Sequence, residues 1–403
     1  MDNTKQVLDT IYYVGANDRR LTRFENLFPI NQGMAYNSYL IIDEKTVLLD
    51  TVDGSISELF MANVEHVLAG RDLDYCVINH MEPDHCANIA NIFRRYPKVK
   101  LIGNPKTFQL FEQFYTLDAK DNYVIVKDKD ELNIGKTTLR FYYAAMVHWP
   151  EVMMTYDIQH KVLFSADAFG VFGAHHGTIF ADEYDFKGAS MDEARRYYAN
   201  IIGKFGGPVQ TILKKLSSES IKMICPLHGP IFRGSILSEI LERYNLWSLY
   251  LPEEQSVLFI YGSMYNNTET LVDTLAFKLS DLGVKNMRIY DVAAHDPSYL
   301  IAEIFKYSHI VLAIPTYNGD LYYKMNNLLH EMVSLNLQDR KIALIINGSW
   351  GGRTLENSLS MLEKMKNISL IGKPLVIKSS YQESNQIELN DLALALVESL
   401  KQS

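Results

Sequence analysis

Cysteine is scarce in this chain. Only Cys76, Cys86 and Cys225 occur in 403 residues, and no CxxC pair exists. Neither a disulfide framework nor a four-thiolate metal site can be assembled from them. GxGxxG and Walker A sequences are absent as well, so NAD and ATP sites of those types have no support. The longest apolar runs, such as Val257 to Tyr261 and Ile310 to Ile314, fall far short of a membrane span. Residues 1–6 are polar and lack the apolar core of a secretory signal, so a cytoplasmic, reducing location is expected. Basic residues are outnumbered, giving a net charge of −9. That balance offers no basic surface for nucleic acid, although local charge patches suit docking with a partner.

Apolar residues are plentiful at 47%, and the length exceeds one ordinary core, so two domains are expected. The densest chemistry lies at Asn79-His-Met-Glu-Pro-Asp-His-Cys86, where His80, Glu82, Asp84 and His85 fall within six consecutive positions. A β-forming run (Asp74 to Asn79) precedes this stretch and an apolar-periodic segment (Ala87 to Phe93) follows it. The stretch therefore reads as a loop between strand and helix, where a scaffold can aim several ligands at one point. Upstream, residues 36–42 and 46–50 read as paired strands across Asp43 to Lys45, and residues 56–68 as a helix closed by Gly70. Three isolated candidates come later: His148 in Met146-Val-His-Trp-Pro150, Asp167 in Leu163-Phe-Ser-Ala-Asp-Ala168, and His228 in Met223-Ile-Cys-Pro-Leu-His-Gly-Pro230. Each follows a β-run and precedes a turn, and strand ends on one edge of a sandwich converge in space. His66, His160, His175, His176, His295, His309 and His330 read as turn or satisfied polar residues.

In order and spacing, His80, Glu82, Asp84, His85, His148, Asp167 and His228 resemble the metal site of the metallo-β-lactamase fold. Hydrolases of that fold usually carry His-x-His-x-Asp-His and bind zinc; here Glu82 takes the second position. Three carboxylates with four imidazoles form a harder, more anionic set, suited to two iron ions rather than a zinc pair. The His-x-Glu-x-Asp-His pattern resembles that of the flavodiiron proteins (A-type flavoproteins). That resemblance implies one iron on His80, Glu82 and His148, a second on Asp84, His85 and His228, and Asp167 bridging them.

It also implies a flavin domain. Near Leu249-Tyr-Leu-Pro-Glu-Glu-Gln255 the pattern breaks as a linker does. Beyond it, five strand-like runs alternate with five helical ones, the pattern of a doubly wound parallel sheet. Ligands bind such sheets at the carboxyl ends of the strands. The loop with Ser263, Met264, Tyr265, Asn266, Asn267 and Thr268 opens a helix and can hold a phosphate on backbone N–H groups without a basic residue. Pro315, Thr316, Tyr317, Asn318 and Gly319, and then Ser349, Trp350, Gly351 and Gly352, bring aromatic rings and flexible backbone to the same edge. These three loops resemble the FMN site of flavodoxins.

The expected architecture is thus a metallo-β-lactamase-like αββα sandwich over residues 1–250, followed by a flavodoxin-like FMN domain over 251–403. The resemblance implies a reductase of oxygen to water, or of nitric oxide to nitrous oxide. FMN would relay electrons from an external donor such as rubredoxin, another flavoprotein or reduced deazaflavin. A head-to-tail homodimer, or a dimer of such dimers, is the implied assembly, with neither membrane nor nucleic acid as partner. Two other readings compete: a zinc-dependent hydrolase fused to a flavin domain, and a flavin electron carrier or redox sensor with an inactive metal site.

Overall fold

The computed structural model describes residues 3–402. The chain separates into two compact units, one made of residues up to Tyr198 with Phe205–Asn245, the other of Ala199–Lys204 with Leu246 onward.

The first unit is a sandwich of two sheets. One has seven strands in the order Lys5–Leu8, Ile11–Tyr13, Tyr39–Ile42, Thr46–Leu49, Tyr75–Val77, Lys100–Gly103 and Tyr123–Ile125. The other has six: Glu131–Asn133, Thr138–Tyr143, Met153–Asp157, Val162–Phe164, Met223–Cys225 and Phe232–Arg233. Tyr39–Ile42 pairs antiparallel with Thr46–Leu49 as the sequence suggests, Tyr39 facing Leu49. From Thr46–Leu49 to Tyr123–Ile125 the strands run parallel, which requires crossovers. The helices Ser57–Leu68, Ile89–Arg95 and Pro105–Phe114 supply them. Asn104 starts the last of these, its side-chain oxygen accepting from Lys106 N and Thr107 N, with Pro105 at the first helical position. Phe108 and Phe111 of that helix turn inward.

The two sheets share one core. Tyr39, Val47, Val77 and Ile102 from one meet Leu139, Phe141, Met153, Val162 and Cys225 from the other. Each such side chain contributes about 1.5–3 kcal/mol on burial, so the core fixes the strand ends that carry the site. One local expectation changes. Pro83–Cys86 is a helical turn rather than open loop, because Pro83 suits a helix start and His85 N and Cys86 N donate back to Glu82 O.

The second unit is a parallel sheet in the order Arg288–Asp291, Glu254–Tyr261, Tyr307–Tyr317, Gln338–Asn347, Lys366–Leu370. This is the 2-1-3-4-5 order of flavodoxin-like folds. Leu375–Ile377 also pairs parallel with Gln338–Asn347. The helices Asn267–Asp281, Pro297–Lys306, Tyr323–Ser334, Thr354–Leu362 and Gln386–Lys401 make the crossovers and the closing layer. Lys366–Leu370 has no counterpart in the periodicity. Its residues are mostly exposed, so it carries no continuous apolar run. Among the described residues, no helix is long and apolar enough to cross a membrane.

Candidate metal centre

The ligand loop is held by a buried frame. Asp50, at the end of Thr46–Leu49, accepts from Asn79 N (2.8 Å), His80 N (3.0 Å) and Asn79 Nδ2 (2.7 Å). Thr155 donates to Asn79 Oδ1 at 2.8 Å, and Thr51 donates to His85 O at 2.7 Å. Burial, the largest influence, pushes the Asp50 carboxyl up to about 6 against these hydrogen bonds. His228 is set by Asn37, whose amide donates to Pro226 O at 2.9 Å and Gly229 O at 2.7 Å. Gly229 has φ +72°, and a Cβ there would lie 2.6 Å from Val171 Cβ, so this turn admits only glycine. Asp50, Thr51 and Asn37 are absent from the candidate residues read in the sequence. Asp50 shows the same signal as Asp167, a carboxylate closing an apolar strand.

All seven candidate ligands converge. His80, Glu82, His148 and Asp167 form one group, and Asp84, His85 and His228 another. His80 Nε2 lies 3.2 Å from Glu82 Oε2 and 3.3 Å from Asp167 Oδ2. His148 Nε2 is 3.1 Å and 3.3 Å from the same two oxygens. On the other side, His85 Nε2 is 2.9 Å from Asp167 Oδ1 and 3.4 Å from Asp84 Oδ2. His228 Nε2 is 3.1 Å from Asp84 Oδ2 and 3.7 Å from Asp167 Oδ1. Asp167 therefore offers one oxygen to each group.

These spacings match donors around a shared ion, since two ligands ~2.1 Å from one metal at a right angle lie ~3 Å apart. Hydrogen bonding accounts for them less well. Both Asp84 oxygens, Asp167 Oδ1, His85 Nε2 and His228 Nε2 are buried without a hydrogen-bond partner. Orphaned polar atoms of this kind need an ion or an equivalent partner. His175 lies apart from both groups. Its Nε2 pairs with Asn37 Oδ1 at 3.0 Å, and burial depresses it to about 3.

Aromatic rings close over His228. Phe24 meets it edge-on at 5.1 Å, with Tyr36 at 5.5 Å and Tyr197 at 5.7 Å. Phe24 belongs to the short hairpin Arg23–Phe24/Phe28–Pro29, and the Arg196 guanidinium fastens that hairpin through Pro29 O. Gly170 lets the Tyr197 ring approach, since a Cβ there would sit 2.5 Å from Tyr197 Cε1.

Without metal the cluster shares protons internally. Burial opposes charge on His148, yet its hydrogen bonds to Asp167 and Glu82 raise it to about 9. Burial likewise opposes charge on His85, but the Asp84 and Asp167 carboxylates raise it to about 9. Burial pulls Glu82 upward, and His148 and His80 overcome it to hold the carboxyl at about 2. A metal must displace the imidazolium protons, so binding releases them. Apparent metal affinity should therefore climb with pH, most steeply near 9, where His85 and His148 lose their protons. Competition titrations with a calibrated chelator between pH 6 and 10 read this directly; a flat profile would contradict the protonated cluster.

Residues 34–229 match the family model described as "ODP family beta lactamase". Over 383 residues the chain is 32% identical to a nitric oxide reductase of Moorella thermoacetica, covering 93% of each protein. By structure, it matches the flavodiiron protein of Giardia intestinalis with TM-score 0.92 at 23% identity, over 100% of this chain and 98% of that one. It matches the rubredoxin oxygen:oxidoreductase of Desulfovibrio gigas with TM-score 0.91 at 25% identity, over 99% of each. The chain belongs to the flavodiiron family.

In this flavodiiron chain a second cleft opens at the carboxyl edge of the parallel sheet. Ser263, Met264, Tyr265, Asn267, Thr268, Pro315, Thr316 and Ser349 line it, all of them candidates from the sequence. Gly348, at the head of the Ser349 loop, lines it too, as do Asn347 and Ser379, which carry no signal in the sequence. Asn347 is recognisable only from the fold: its amide donates to Thr268 Oγ1 at 3.2 Å and Ser379 O at 2.9 Å, tying three loops together. Asn266, Tyr317, Asn318, Gly319, Trp350, Gly351 and Gly352 do not line the cleft. Gly352 instead packs on Thr316, and Tyr317 and Trp350 stand exposed at 46% and 74%. Ser263 Oγ is buried without a partner at the start of Asn267–Asp281, a neutral donor beside a helix N-terminus, as a phosphate requires.

Proposed function

We propose that this chain is a flavodiiron reductase of dioxygen, nitric oxide or both, acting in the cytoplasm with electrons from an external donor. The observation that carries the reading is the division of Asp167, Oδ2 toward His80 and His148 and Oδ1 toward His85 and His228. A carboxylate so placed fits two ions side by side. His80, Glu82 and His148 would hold one iron, Asp84, His85 and His228 the other, and Asp167 both. Ser263, Asn267, Thr268 and the helix N-terminus would take the FMN phosphate, with Pro315, Thr316 and the Ser349 loop beside the ring system.

When bound, the flavin supplies a one-electron relay, and the iron pair supplies the means to bind and reduce a diatomic gas. The chain's own groups set the conditions. Glu82 keeps the set anionic, which favours iron over zinc. Phe24, Tyr36 and Tyr197 keep water from His228. Within that cap the Tyr197 hydroxyl is buried and has no protein partner. Burial first, and then the Asp167 charge, raise this phenol well above its ordinary range, so it stays protonated and available as a donor. Rubredoxin, another flavoprotein or reduced deazaflavin fits as the donor. A head-to-tail twofold homodimer, or a dimer of such dimers, is the assembly proposed, by likeness to the family.

The decisive test is stopped-flow mixing of the fully reduced protein with each gas. At least one gas should reoxidise it within seconds, and anaerobically purified protein should carry two irons per chain. Zinc in their place, or no reoxidation by either gas, would end this reading.

A further inference from the structure

The loop that supplies His148 ends in Glu151, a glutamate with 0% exposure. Its Oε1 accepts from His80 Nδ1 at 2.7 Å and from Met81 N at 2.9 Å. Its Oε2 is buried with no hydrogen-bond partner. Asn104, the cap of Pro105–Phe114, donates to Glu151 O at 2.5 Å and so fixes the backbone from which the carboxylate reaches. Trp149, in the same loop, sets its ring edge-on to His80 at 5.4 Å and 87°. His80 is thus held on two sides by one four-residue segment that also presents a ligand.

The imidazoles across the centre are supported differently. His228 Nδ1 donates to a neutral acceptor, Ala35 O, at 2.9 Å. His85 Nδ1 is buried with no partner. The other buried carboxylate of the frame, Asp50, binds the Asn79 amide and the Asn79 and His80 backbone, not an imidazole ring. Of these three imidazoles, His80 alone has a carboxylate on its outer nitrogen, Nδ1. A carboxylate on the outer nitrogen fixes the tautomer and raises the basicity of the nitrogen that faces the metal.

We infer that Glu151 is a positioning residue that makes the two halves of the centre unequal, rendering the His80–Glu82–His148 half the more electron-rich and its ion the first to be oxidised. This rests on the diiron reading above. In Glu151→Gln the acceptor oxygen remains and the charge is lost. The variant should load iron and fold as the parent does, while the ferric form at that half loses about tenfold in stability, an upward shift of ~59 mV for a one-electron couple. Glu151→Ala also removes the acceptor, and iron affinity at that half should fall by the ~10–100-fold typical of lost outer partners. Glu151→Asp, which keeps the charge, should return the potential toward the parent value.

The test is a redox titration of the parent and the three variants, followed by Mössbauer spectroscopy and paired with iron analysis. Parent protein holding two irons, with the same potentials in Glu151→Gln, would overturn this inference and leave the diiron reading intact. Parent protein without iron would remove both. A second measurement does not depend on variants: in zinc-loaded, diamagnetic parent protein, the His80 Nδ1 proton should resonate well downfield of that of His228. Equal shifts would defeat the proposal even if the glutamine variant failed to fold.

Discussion

Asp167→Ala is expected to empty both halves of the centre, taking iron from two per chain toward none and gas reduction down by more than ~100-fold. The magnitude follows from its place. Losing an outer partner of a ligand already costs ~10–100-fold in metal affinity or activity, whereas Asp167 faces four imidazoles, with distances from 2.9 to 3.7 Å. Its removal also leaves His80 and His85 without their shared carboxylate in a buried setting. Burial opposes ionisation of Asp167, and the His85 and His80 charges override it, holding the carboxyl well below its usual range. The fold should survive, because the Asp50 frame and the shared core do not pass through this side chain. Iron analysis, steady-state turnover and thermal unfolding on one preparation separate these effects. A variant with two irons and parental turnover would show that the centre does not depend on a shared carboxylate.

Glu82→His should shift the metal preference. Glu82 Oε2 stands 3.2 Å from His80 Nε2 and 3.1 Å from His148 Nε2. An imidazole there would complete a three-histidine set, the arrangement typical of zinc, and would remove one negative charge from that half. Iron content should drop, zinc should rise in protein purified without added metal, and turnover should fall by at least ~10-fold. Metal analysis beside turnover reads the change. Undiminished iron and activity would remove the argument that this one carboxylate sets iron apart from zinc.

Much of the site is legible in the sequence because its chemistry is dense or its position repeats. His80, Glu82, Asp84 and His85 stand out by crowding, while His148, Asp167 and His228 stand out because each follows a β-run and precedes a turn. The alternation after residue 255 is equally plain, since the central strands Glu254–Tyr261, Tyr307–Tyr317 and Gln338–Asn347 carry long apolar runs. What escapes notice has physical reasons. Lys366–Leu370 is mostly exposed and lacks the apolar signal. Asn347 and Ser379 reach the cleft from different strand ends, and only the pairing of Gln338–Asn347 with Leu375–Ile377 makes them neighbours. Glu151 and Tyr197 carry no motif. One matters through a single hydrogen bond, the other through a hydroxyl with no partner, and neither property exists before the chain is folded. The grouping of Ala199–Lys204 with the second unit likewise has no mark in composition or periodicity.

The frame around Asp50 bears on how the centre chooses its metal. Asn79, His80 and His85 are fastened through their backbones to Asp50 and Thr51 by bonds between protein groups alone. Small domains that fold only around an ion can reject a misfit by staying unfolded. A prebuilt socket has no such veto. The backbone that carries the donors is fastened whichever divalent ion arrives, and natural affinity would favour copper or zinc over ferrous iron. Discrimination must then come from the hardness and charge of the donors and from which ions the cell keeps in supply.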